Sequence, residues 1–299
     1  WRLDSLPSDG GWLPLEYATA QIVPWEPDYL PGIAVPVRSE KGGRVRVALR
    51  CSDKPGNFTP ETTLDEQEAT VEPGERILRF RFKRGTPDAR YGFITFEGDA
   101  GIELALSPLR VTGLLRVDHK FDRAVATGGE QVPPEGIGID RFEFWIPERR
   151  PGGRNLALAF DPPLARFADT AYLGNGWERP FLRSNAWIAR TDDPSPTLEL
   201  RWPEPRAIRK LVFLFDTDFD HSMETAQKNH ADRVMPHCMD GVAVESSDGT
   251  VLGRIEDNHA TRREICFGEP AKTDFLRIRC SPPVSGSPAA LFGLRVEGE

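Results

Sequence analysis

Residues 76–82 read Arg76-Ile77-Leu78-Arg79-Phe80-Arg81-Phe82. Apolar and cationic side chains come close to alternation there. A strand sends successive side chains to opposite faces, so the run predicts a β-strand with one face inward and its arginines in water. Pro73-Gly74 supplies a turn just before it, and the same texture repeats outward: IAVPV at 33–37, RVRVALR at 44–50 after Gly42-Gly43, YGFITF at 91–96 and IELALSPLRVTGLL at 102–115. Short strands at roughly ten-residue spacing, punctuated by turns, predict an antiparallel β-sandwich over residues 1–117.

Residues 118–138 break that texture. Gly128-Gly129 and Pro133-Pro134 stand in a stretch with little periodicity, the composition of a linker. Beyond it come FEFWIP (142–147), NLALAF (155–160), TLELRW (197–202), IRKLVFLF (208–215), GVAVES (241–246), REICF (263–267), DFLRIRC (274–280) and ALFGLRV (290–296). They predict a second, jelly-roll-like sandwich over 139–299, interrupted by a helical or irregular insertion at 221–238. The expected fold class is therefore all-β, with two antiparallel β-sandwich domains.

A chain of 299 residues suits two domains, and its 27 Gly and 27 Pro favour turn-linked strands over a helical bundle. The formal net charge of −8 gives no electrostatic reason to bind nucleic acid. No apolar run reaches the roughly 18 residues of a membrane span, so no membrane partner is expected. The chain starts at Trp1 rather than Met, which reads as a processed or excised start and leaves localisation unknown beyond soluble. Cys51, Cys238, Cys266 and Cys280 lack CxxC spacing, which leaves disulfides open but unassigned, and buried free thiols are the expected state.

Two segments carry recognisable chemistry. In extended backbone Asp216, Asp218 and Asp220 share one side, next to His221, and such a row could order a loop, hydrogen-bond hydroxyls or attract a hard cation. Glu224, His230, Asp232 and His237 follow, but no HExxH occurs and no two histidines are four apart, so zinc is not expected. His237 and Cys238 are adjacent, which disfavours aiming both at one reacting point. The second segment, residues 174–187, joins Trp177 and Trp187 to Arg179, Arg183 and Asn185. Indole faces stack on the C–H face of a sugar, while Asn and Arg offer planar donors to hydroxyls or carboxylates. The competing structural reading makes Trp187 a core residue and gives the loop's polar groups to its own backbone. No GxGxxG, GxxxxGK[ST] or GxSxG is present, so no catalytic residue is assigned and no cofactor is expected within this chain.

The blocks RPFLRSNAWIA (179–189), LELRWPEP (198–205) and LVFLFDTDFDHSMET (211–225), together with NFTPETTLD (57–65), NGWERP (175–180), RVMPHC (233–238) and SPAALFGLRV (287–296), resemble the C-terminal region of a bacterial family of FAD-dependent oxidoreductases. The resemblance implies FAD in a separate or missing domain and a flavin-binding domain or subunit as partner. The last domain is also similar to discoidin-type, galactose-binding-like jelly rolls. Many of these hold a structural calcium through a Glu in the last strand, where this chain has Gly293, so calcium is doubtful.

Together these readings predict a non-catalytic accessory region whose second sandwich recognises carbohydrate through Trp177, Arg179, Arg183, Asn185 and Trp187, with Asp216, Asp218, Asp220 and His221 nearby. A ligand-free docking or oligomerisation module is the first alternative. A polysaccharide hydrolase or lyase is the second, because the separation of carboxylates cannot be read from sequence.

Overall fold

A computed structural model of the chain describes residues 1–24, 29, 32–52, 59–87, 91–121, 143–148, 153–165, 167–217 and 236–298. It is all-β and antiparallel throughout, and among the described residues the one helical turn is a short 3-10 turn at Thr170–Gly174. The chain forms two units, one of Arg2–Leu109 with Gly113–Ala165, the other of Trp1, Arg110–Thr112 and Arg166–Glu299.

The first unit carries β1 (Leu3–Ser5), β2 (Trp12–Pro14), β3 (Thr19–Val23), β4 (Gly32–Ser39), β5 (Gly43–Cys51), β6 (Thr62–Val71), β7 (Gly74–Arg81), β8 (Gly92–Gly98), β9 (Ile102–Ser107), β10 (Leu115–Phe121), β11 (Glu143–Glu148), β12 (Asn155–Leu156) and β13 (Ala159–Leu164). One sheet runs β1-β13-β4-β9-β12, with β2 added to β9 and β7 added to β4; the other runs β11-β10-β3-β8-β5-β6. Period-two burial builds the core: Ile33, Val35 and Val37 of β4 and Ile102 and Leu104 of β9 are buried in the first sheet, Val45, Val47 and Leu49 of β5 in the second. Two polar pairs enter this interior. Gln21 Nε2 donates to Asn155 Oδ1 at 3.0 Å, and Arg116 Nη1 reaches both carboxylate oxygens of Asp118 at 2.8 and 2.9 Å.

These pairings correct the expected domain boundary. The sequence predicts a linker at 118–138, yet residues 118–121 complete β10, and β11, β12 and β13 pair with β10, β9 and β4 of the first unit. The first unit therefore continues to residue 165, and residues 122–138 lie outside the described residues. Hydrophobic patterning could not reveal this, because it marks strands without naming their partners.

The second unit carries β14 (Trp187–Ile188), β15 (Thr197–Phe215), β16 (Gly241–Glu245), β17 (Val251–Ile255), β18 (Arg262–Ser281) and β19 (Ala290–Gly298), ordered β14-β19-β15-β18-β16-β17. The runs at 197–202 and 208–215 are one long strand, and so are those at 263–267 and 274–280. Each is interrupted where proline removes a ladder donor: Pro203 and Pro205 fall in the register shift between Arg201 and Arg206, and Pro270 lies opposite the shift between Ile208 and Lys210. An odd insertion reverses the inward face, so burial passes from Leu198 and Ile208 to Leu211, Phe213 and Phe215 along β15.

Candidate functional site

The stretch singled out for recognition forms one loop of the second unit. Asp169 caps the 3-10 turn, its Oδ1 accepting from Ala171 N at 2.9 Å. The chain then turns through Asn175, whose Oδ1 accepts from Trp177 N at 2.9 Å, with Gly176 at φ +84°. Only a residue without Cβ enters that conformation freely, so the turn that presents Trp177 depends on the Asn-Gly pair.

Trp177 is 42 % exposed and stacks on Phe181, ring centroids 4.9 Å apart and planes 23° apart. Phe181 was not singled out from the sequence. Its four-residue offset from Trp177 was the available signal, but without a helix that offset has no fixed meaning. Glu178 lies 3.8 Å from Arg295 of β19 with both side chains more than half exposed, a pairing that adds little. Arg179 is exposed and Arg183 half-buried on the same loop.

Asn185 works differently from the expected ligand contact. It is 4 % exposed, and its Nδ2 donates to Phe181 O at 3.0 Å and to Arg179 O at 3.3 Å, while its Oδ1 accepts from Asn175 Nδ2 at 3.2 Å. The amide is spent on holding the loop from inside. Both Leu182 (φ +60°) and Asn185 (φ +53°) are left-handed, and Phe181 N donates to Arg183 O at 3.0 Å. Left-handed backbone is costly for Leu, so its surroundings must hold it there.

Trp187 stands apart. It pairs with Leu291 across β14 and β19, is 8 % exposed and belongs to the core cluster with Phe213, Phe215 and Ile278. The structural alternative describes it, and the expected surface role does not. Asp216, at the end of β15, is 2 % exposed and accepts a hydrogen bond from Thr112 Oγ1. This carboxylate faces inward, away from any solvent-borne hydroxyl. Asp218, Asp220 and His221, with Glu224, His230 and Asp232, lie outside the described residues, as does most of the expected insertion.

The remaining signals resolve as packing. His237 Nδ1 meets Ser287 Oγ at 2.9 Å, whereas Cys238 Sγ approaches Met239 O at 3.4 Å and accepts from Asn258 Nδ2 at 3.3 Å. The two side chains serve different partners, which removes the thiol–imidazole pair. Cys51, Cys238 and Cys280 are buried, but Cys266 is exposed, against expectation. Among the described residues no three His, Cys, Asp or Glu side chains group to hold a metal. A Cβ on Gly293 would lie 2.8 Å from Leu214 Cδ1, so a longer side chain there would require Leu214 to move. No helix among the described residues is long and apolar enough to cross a membrane.

No family model and no curated protein matches the chain. Among solved structures it is similar to the family 32 carbohydrate-binding module of Streptococcus pneumoniae EndoD, at 13 % identity over 39 % of this chain and 77 % of that one, TM-score 0.31. It is similar to a fucose-binding module of S. pneumoniae at 14 % identity over 38 % and 73 %, TM-score 0.27. A serum fucolectin of striped bass, Morone saxatilis, aligns at 7 % identity over 93 % and 79 %, TM-score 0.30. At such scores the likeness establishes neither detailed fold nor ligand.

Proposed function

We propose that the second unit recognises carbohydrate, without bond-making, through the loop at 175–183. One observation carries the reading: an exposed indole stacked on a second ring, on a loop whose conformation is held from inside by Asn185. A presented, pre-ordered aromatic face binds the C–H face of a sugar with little conformational entropy to lose. Arg179 and Arg183 are the proposed hydroxyl or carboxylate donors, and Asn185 acts by positioning them. Trp187 and Asp216 are not part of this site. The sequence resemblance supports a further step, that the chain is an accessory region of a larger FAD-dependent oxidoreductase, with the flavin held elsewhere.

Titration calorimetry of the full chain against neutral and acidic sugars tests the site. Binding in the micromolar to millimolar range, weakened about tenfold or more by Trp177→Ala, supports it. A flat response to every sugar, or binding indifferent to Trp177→Ala, overturns it.

A further inference from the structure

We propose that β7 is the seam of a symmetric dimer, in which the strands of two copies pair antiparallel about Ile77. β7 is hydrogen-bonded to β4 along its whole length, and among the described residues no strand lies on its other side. Arg81 O accepts from Gln67 Nε2 at 2.8 Å, which shows that this carbonyl turns away from β4. Backbone groups of a strand alternate in direction, so Glu75, Ile77 and Arg79 present their N–H and C=O along the same edge, where Glu75 O accepts from Arg76 Nη1 at 2.8 Å, an exposed bond that strand pairing would displace.

Their side chains share one face and are all exposed, with Ile77 at 60 % among the most exposed large apolar residues. Arg38, opposite Glu75 on β4, gives its hydrogen bond to Glu103 instead. Two copies paired about Ile77 would place Ile77 against Ile77 and each Glu75 opposite the partner's Arg79. The three residue pairs would exchange about six backbone hydrogen bonds. The contact is isologous and closes on itself, so it stops at two copies.

The other long free edge of this unit shows what protection looks like. Among the described residues β6 pairs only with β5, and it carries Asp65, Glu66 and Glu68, so that copies pairing about its centre would set carboxylate against carboxylate. Charges on β7 are instead of opposite sign and symmetrically spaced around an apolar residue, which blocks shifted registers and favours one.

Sedimentation velocity of the full chain at concentrations up to about 100 μM tests the seam. A dimer is expected, weakened tenfold or more by Ile77→Lys and by Glu75→Arg or Arg79→Glu alone, and restored to within about threefold in the double charge swap Glu75→Arg/Arg79→Glu. If a single variant loses its native circular dichroism, Ile77→Cys in a Cys266→Ser background decides the matter. Opposed residues of a bonded pair lie about 5.5 Å apart and would oxidise to a disulfide dimer. A monomer throughout, a dimer insensitive to these changes, or an Ile77→Cys chain that stays monomeric on oxidation overturns the proposal.

Discussion

Trp177 and Trp187 lie in one stretch of chain and end in opposite environments: the first exposed on a loop and stacked on Phe181, the second in the core behind β14. Residue type does not separate them. Pairing of Trp187 with Leu291 and Ile188 with Ala290 fixes which side chain of β14 points inward. Residues 175–183 have no such ladder and take their shape from turn chemistry and from Asn185. One aromatic is therefore worth packing energy and the other is available to a ligand.

The largest effect should come from the buried partner. Trp187→Ala removes a side chain that is 8 % exposed and belongs to the same core cluster as Phe213, Phe215 and Leu291, and is expected to cost the second unit about 3–5 kcal/mol in urea unfolding, read separately from the first unit's transition. A loss below about 1 kcal/mol would mean that the indole is not core. Asn185→Ala comes next, at about 1–3 kcal/mol, because it leaves the Arg179 and Phe181 carbonyls without their donor and forces Ala into left-handed backbone. Asn185→Gly relieves the backbone and not the carbonyls, so recovery of stability without recovery of sugar binding would assign the amide a positioning role. Trp177→Ala should cost less than about 1 kcal/mol, roughly the worth of one exposed aromatic pair, while abolishing most binding. A large stability loss there would show that the loop aromatics are structural and would erase the contrast.

How much of this was readable beforehand depended on whether the signal was local. β5 and β7 announce themselves by alternation and β4 and β8 by short apolar runs, but apolar Ile77 lies on the face of Arg79 and Arg81, since Phe80 and Phe82 fix the phase. β6 carries no such signal, because TTLDEQEATV has little apolar content; its pairing with β5 makes it a strand. The loop at 175–183 could be picked out by composition, whereas the fates of its members could not. Asn185 is committed by carbonyls that only the folded loop brings to it. Asp216 is committed by Thr112, 104 residues away. Such distant partners leave no local trace, and the same limit misplaced the domain boundary.

The smallest effect concerns a second like pair with opposite fates. Cys266 and Cys280 both lie on β18, an even number of residues apart, and on an unbroken strand both would face the same way. The inward face of β18 passes from Ile265, Thr273 and Phe275 to Leu276, Ile278 and Cys280 beside the register shift opposite Arg201 and Arg206, leaving Cys266 exposed and Cys280 buried. In native protein a thiol reagent should therefore modify Cys266 readily and leave Cys51, Cys238 and Cys280 for the denatured chain. Rapid labelling of Cys280 would show that the reversal is absent. Burial, with a lesser contribution from Asp193, pushes the Cys280 thiol from 9.0 up to about 12. The folded state thus holds this proton more tightly than the unfolded chain, so its contribution to stability is intact below pH 9 and declines as the pH rises from there toward 12. Cys280→Ala should flatten that alkaline decline, whereas Cys266→Ala should leave it unchanged, and equal pH profiles for the two variants would place both thiols in the same environment.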